Sequence, residues 1–216
     1  MPLDKELQRA VLAELGWEPS VVAAHIGVAA NAGIVTLTGH VETFAEKHAA
    51  ETAARRVRGV RAVAEEIVVE VPFERTRDDQ DIAAAAIERL AWDTSVPADA
   101  VTVTVEQGWV TLAGSVAWHY QKEAAAQDVA RLHGVVGLSN RIVVKPAINV
   151  SDISNKIRNA LHRSWLLEDE NVTVRADGGH IHLTGTVGSP HDRQVAWATA
   201  WAAPGATSVT NDLSIL

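Results

Sequence analysis

His180 and His182 stand two residues apart in a segment that alternates polar and apolar residues. On a strand, that spacing sends both imidazoles to one face. Paired imidazoles suit zinc, copper or nickel, and His191, at the start of the following helix, can approach as a third ligand. No carboxylate has comparable spacing, and the chain has no cysteine, which excludes thiolate sites and disulfides. The plainer reading leaves the histidines as exposed sheet-face residues. Arg55, Arg56 and Arg58, with Arg61, form the one basic cluster, a place where acidic lipid headgroups can bind. Glu51, Glu65 and Glu66 lie close in sequence, so a solvated, self-paired face is the plainer reading there too. Asp78-Asp79 and Glu168-Asp169-Glu170 read as helix caps and solubilising charge. No serine, histidine and acid share an arrangement for nucleophilic catalysis. No cofactor and no enzymatic activity are expected.

Aromatic usage is skewed, with seven Trp against one Tyr and two Phe. Trp17, Trp92 and Trp165 recur at the ends of three equivalent helices. They read first as core plugs between helix end and hairpin, and second as anchors at a lipid headgroup layer. Trp118, Trp197 and Trp201 have no equivalents of the same type. Trp197 and Trp201 are one helical turn apart and replace Glu51 and Arg55, so a polar helix face has become aromatic. They read first as a local adjustment of the core, and second as an interface with another module, a second chain or a lipid surface. Ile34 and Trp109 fall on the sheet face that helices should leave open. That face reads as a contact surface, either for a neighbouring module or for an external ligand.

The elements that position these residues come from a repeat. Gly33, Gly39 and Gly59 recur as Gly108, Gly114 and Gly134, then as Gly179, Gly185 and Gly205. Each copy opens with an amphipathic helix (Leu3, Leu7, Val11 and Leu15 in the first), followed by two alternating runs joined at a Gly-containing turn. A second helix follows, ending near a glycine, and then a last strand. The fold class is therefore α+β, with three tandem α-β-β-α-β modules. Each is a small mixed three-stranded sheet with two helices on one face. The strand–helix–strand connection predicts parallel pairing of the second and third strands. The modules are expected at residues 1–72, 73–146 and 147–216. Val35, Leu37, Val110, Leu112, Ile181 and Leu183 are expected beneath the helices. An internal repeat also argues against a single-copy catalytic centre.

The chain has 216 residues and a net charge of −8, and its modules carry −3, −3 and −2. With no basic module, nucleic acid is a disfavoured partner. No stretch approaches the ~20 apolar residues that span a bilayer. The N-terminal residues Met1-Pro2-Leu3-Asp4-Lys5-Glu6-Leu7 lack a secretory pattern. A cytoplasmic location is therefore expected.

The α-β-β-α-β order, the Gly-x-Val-x-Leu-x-Gly-x-Val return of the hairpin, and the endings Gly59-Val60 and Gly134-Val135 resemble the BON-domain family of bacteria. Asn140 and Asn211, before the last strand, fit the same pattern. Glu65 in the first copy and Gly205-Ala206 in the third depart from it. The resemblance covers essentially the whole chain. It implies a non-enzymatic binding or scaffold protein of osmotic and envelope stress, with phospholipid or an envelope-linked protein as partner. An anionic phospholipid surface or a protein partner is therefore expected. Units of about 70 residues are near the lower size limit for an independent core, so contacts between modules are expected, and a homo-oligomer is compatible with the reading. The alternative is a cytosolic small-ligand or cation sensor with sites between modules.

Overall fold

Alternation in the hairpins and four-residue steps in the helices give the chain its elements. The computed structural model describes residues 2–145, 152–163, 172–188 and 190–215. The first module contains α1 (Pro2–Trp17), β1 (Ile26–Asn31), β2 (Ile34–Val41), α2 (Phe44–Arg56) and β3 (Ala62–Val69). The second contains α3 (Asp79–Trp92), β4 (Val101–Glu106), β5 (Trp109–Val116), α4 (His119–Ala130) and β6 (Gly137–Val144). The third contains α5 (Ile153–Arg163), β7 (Val172–Asp177), β8 (His180–Val187), α6 (Pro190–Trp201) and β9 (Ser208–Ile215). The same α-β-β-α-β order thus appears three times, with one three-stranded sheet per module. Two compact units result, one holding the first sheet and one holding the third sheet together with the start of α4. Residues of the middle module divide between them.

In each sheet the hairpin's return strand is central. In the first, β1 and β2 are antiparallel with Val28 opposite Leu37, and β2 and β3 are parallel with Leu37 opposite Glu65. The third repeats this, with Val174 opposite Leu183 and Leu183 opposite Asn211. A helical crossover lets neighbouring strands run parallel, which a tight turn cannot do.

Inward residues of the sheet meet the helices. Val35 and Leu37 are buried with Val11 and Leu15 of α1 and with Ala50, Ala53 and Ala54 of α2. Ile181 and Leu183 are buried with Ile153, Ile157 and Leu161 of α5 and with Ala196 and Ala200 of α6. Val110 and Leu112 are fully buried as well. Gly39 is held at φ +120°, and a Cβ there would run into the carbonyl oxygen of His25. Only glycine lets the chain enter β1 so close to β2.

The second helix of each module is tied to the last strand by a polar side chain. Asn140 donates from Nδ2 to the Lys122 carbonyl (2.9 Å) and accepts from the Ile142 amide (3.2 Å). Asn211 does the same between the Arg193 carbonyl and the Leu213 amide, at 3.2 Å each. The first module has Glu65 there. Its Oε1 accepts from the Ile67 amide (2.7 Å), and the Lys47 ammonium bridges Glu65 Oε2 (2.9 Å) and the Ile67 carbonyl (2.6 Å). Different side chains thus make the same tie.

In the first two modules the helices are also linked by charge. In the first module, Arg56 reaches Glu14 (3.0 Å) and Glu18 (2.9 Å). In the second, Arg89 on the first helix pairs with the buried Asp128 on the second (3.0 Å), the reverse polarity. The Asp79 carboxylate accepts from the Gln107 and Gly108 amides of the hairpin turn, both at 2.8 Å. Asp78 caps α3 through the Asp81 amide (2.8 Å). No helix among the described residues is long and apolar enough to cross a membrane.

Candidate functional site

Trp17 and Trp92 are not core plugs. They are 83% and 78% exposed. The cause is helical phase. Leu15 and Leu90 face the core, and each Trp lies two residues further on, which at 3.6 residues per turn is about 200° around the helix. Each Trp therefore leaves its module at the end of the first helix. Leu12 and Ile87, again repeat equivalents, are also exposed, at 40% and 61%. Trp165 lies outside the described residues.

The open sheet faces differ chemically from module to module. In the first, Ile34 is half exposed and stands in register with Ala62. In the second, Trp109 lies across Gly137, whose hydrogen leaves room for the indole, and its Nε1 donates to Ser139 Oγ (3.0 Å). In the third, the face is polar. His180 Nδ1 is 2.6 Å from Ser208 Oγ, and His182 Nε2 is 2.7 Å from Asp212 Oδ2. Arg175 stands in register opposite His182. Among the described residues no three of His, Asp and Glu converge as metal ligands. The His191 side chain lies outside what is described.

The arginine cluster is largely engaged internally. Arg55 pairs with Glu51 (2.6 Å), and Arg56 holds Glu14 and Glu18. The hydrogen bond from Arg56, then that from Ser20, holds the Glu18 carboxyl below the usual carboxylate range. The Glu18 contact correspondingly raises Arg56. Arg58 is exposed.

Trp197 and Trp201 meet a residue that sequence reasoning missed. His119 of α4 stacks on Trp201 with ring centroids 3.9 Å apart, and meets Trp197 edge-on at 5.6 Å. Trp201 also packs on the core of its own module, while Trp197 is 37% exposed. Beside this cluster, Trp118 is half-buried and tilted against Tyr120 at 6.5 Å. The signal that could have found His119 is its place one turn from Glu123 at a helix start, where the first module has Phe44 and the third Pro190.

A profile of the BON domain matches three segments, residues 3–71, 78–146 and 149–216. The chain belongs to the BON-domain family. This BON protein is 28% identical over 144 residues to osmotically-inducible protein Y of Escherichia coli (strain K12), an alignment spanning 63% of this chain and 72% of that protein. A search of solved structures aligns 98% of it with 98% of the C-terminal domain of CdsD, the structural protein of the type III secretion system of Chlamydia trachomatis, at 15% identity and a TM-score of 0.27. A second CdsD structure aligns at 16% identity and 0.26. Scores at that level carry no inference about role.

Proposed function

We propose that this BON protein is a non-catalytic docking protein that binds phospholipid surfaces during bacterial stress. The observation that carries the reading is the pair Trp17 and Trp92. Each projects almost fully from the same place in its module. Indoles have an apolar body and one N–H, and they settle at the level of lipid headgroups. The stress context comes from the likeness to an osmotically inducible protein. The net charge of −8 and the internal pairing of Arg55 and Arg56 weaken the electrostatic route, leaving Arg58 exposed. Attachment therefore rests on apolar insertion and calls for no preference for anionic lipid.

Co-sedimentation with phosphatidylcholine vesicles, with and without anionic lipid, tests this. Trp17→Ser and Trp92→Ser should each weaken binding about tenfold, from the roughly 1–2 kcal/mol that a partly inserted indole contributes. Added salt should change little. A parent chain that ignores both vesicle types, or a double variant that binds as the parent does, removes the reading.

A further inference from the structure

His119 is the first residue of α4. Its ring lies 22° from the plane of the Trp201 indole at 3.9 Å, and 88° from that of Trp197. The two indoles meet edge to face at 6.1 Å. The imidazole is only 13% exposed. The start of α4 and all of α6 belong to one compact unit.

We propose that this three-ring contact is a pH-sensitive fastening between α4 and α6, closed while His119 is neutral and loosened when it gains a proton. A neutral imidazole can lie against indole faces with little loss of solvation. Its protonated form carries charge into a mostly buried site, at a helix N-terminus whose dipole already presents its positive end. Two groups oppose this. Glu123 Oε1 lies 3.6 Å from His119 Nε2, but it is half exposed and its attraction is screened. The indole faces attract cations, more so where water is excluded. Lys122 repels the protonated form. From α6 the two indoles meet the ring; Arg193 stands one turn before Trp197 on the same helical face, and the charges that act on the ring are those of Glu123 and Lys122. Burial prevails, with Glu123 pulling the other way and Lys122 adding to burial, and His119 is held below the ordinary imidazole value.

The sign follows from linkage. Opened, the ring titrates near the ordinary value of about 6.5. Above that pH both states hold it neutral and the contact has its full strength. As pH falls below it, the opened state takes up the proton first, and the contact weakens.

NMR titration of the His119 ring in the full chain tests this, with near-UV circular dichroism of the indoles followed from pH 8 to pH 5. The ring should titrate below the ordinary value, and Trp197→Ser should return it toward that value. The parent's near-UV signal should fall at acid pH, while His119→Phe, which keeps a ring that cannot titrate, should hold its signal. An ordinary midpoint in the parent, a midpoint unmoved by Trp197→Ser, or an acid response retained in His119→Phe each overturns the proposal. Far-UV spectra establish that the variants are folded. If Trp197→Ser is not, the parent's midpoint and the comparison with His119→Phe decide.

Discussion

Leu112 sits in β5 with none of its surface exposed, two residues from the equally buried Val110. Truncation to Ala leaves a cavity as well as losing transfer energy, and should cost ~2–5 kcal/mol. Urea denaturation measures it, and a loss under ~1 kcal/mol would contradict the burial. Burial at this position was legible because the two-residue period appears three times in one register, and a slip by one residue would expose Val35, Leu37, Ile181 and Leu183 together. Trp17 and Trp92 were misread as plugs because aromatic character at a repeated position says that something recurs there, not that it is inside. Helical phase, counted from Leu15 and Leu90, carried the answer. His119 was illegible for another reason. Its partners lie on α6 of another module, and no comparison of equivalent positions brings Phe44, His119 and Pro190 into one pattern.

At the scale of elements, one mechanical problem is solved twice. The second helix must be held to the last strand, and Asn140 and Asn211 do so with one side chain accepting and donating at once. Glu65 cannot donate to a helix carbonyl, so Lys47 comes down from α2 to complete the tie. The asparagines were visible in the sequence, and so was the departure at Glu65. The compensation by Lys47 was not, because that position is basic in all three modules, as Lys47, Lys122 and Arg193. Glu65→Ala removes the acceptor for the Ile67 amide and the counter-charge for Lys47, both partly buried. It should destabilise the first module by ~1–3 kcal/mol. Glu65→Asn restores the arrangement of the other modules and should cost less. Thermal unfolding of the two variants compares them, and equal losses would show that the acid, not the tie, is what matters.

Across the whole molecule the three modules share a framework and differ in what they present. The first and second offer an exposed Trp at a helix end, the third a polar sheet face with His180 and His182, and α4 and α6 meet through His119. The aromatic face of α6 does two jobs, and they separate by residue. Trp201 packs against the core of the third module as well as on His119. Trp197, 37% exposed, touches the cluster from its edge. Replacing the pair with Glu and Arg, the residues of the first module, would therefore not leave the third module intact. Trp197→Glu alone should keep it folded and lose ~1 kcal/mol or a little more, the worth of aromatic contact. Trp201→Arg puts a charge against a core and should lose ~3 kcal/mol or more, enough to open the module. Hydrogen exchange at the amides of β8 distinguishes the outcomes, because those amides report the third core and not the contact with α4. Protection retained in the Trp197 variant and lost in the Trp201 variant is the expected pattern. Protection lost equally in both would make Trp197 a core residue of the third module, and the contact with His119 a by-product of its packing.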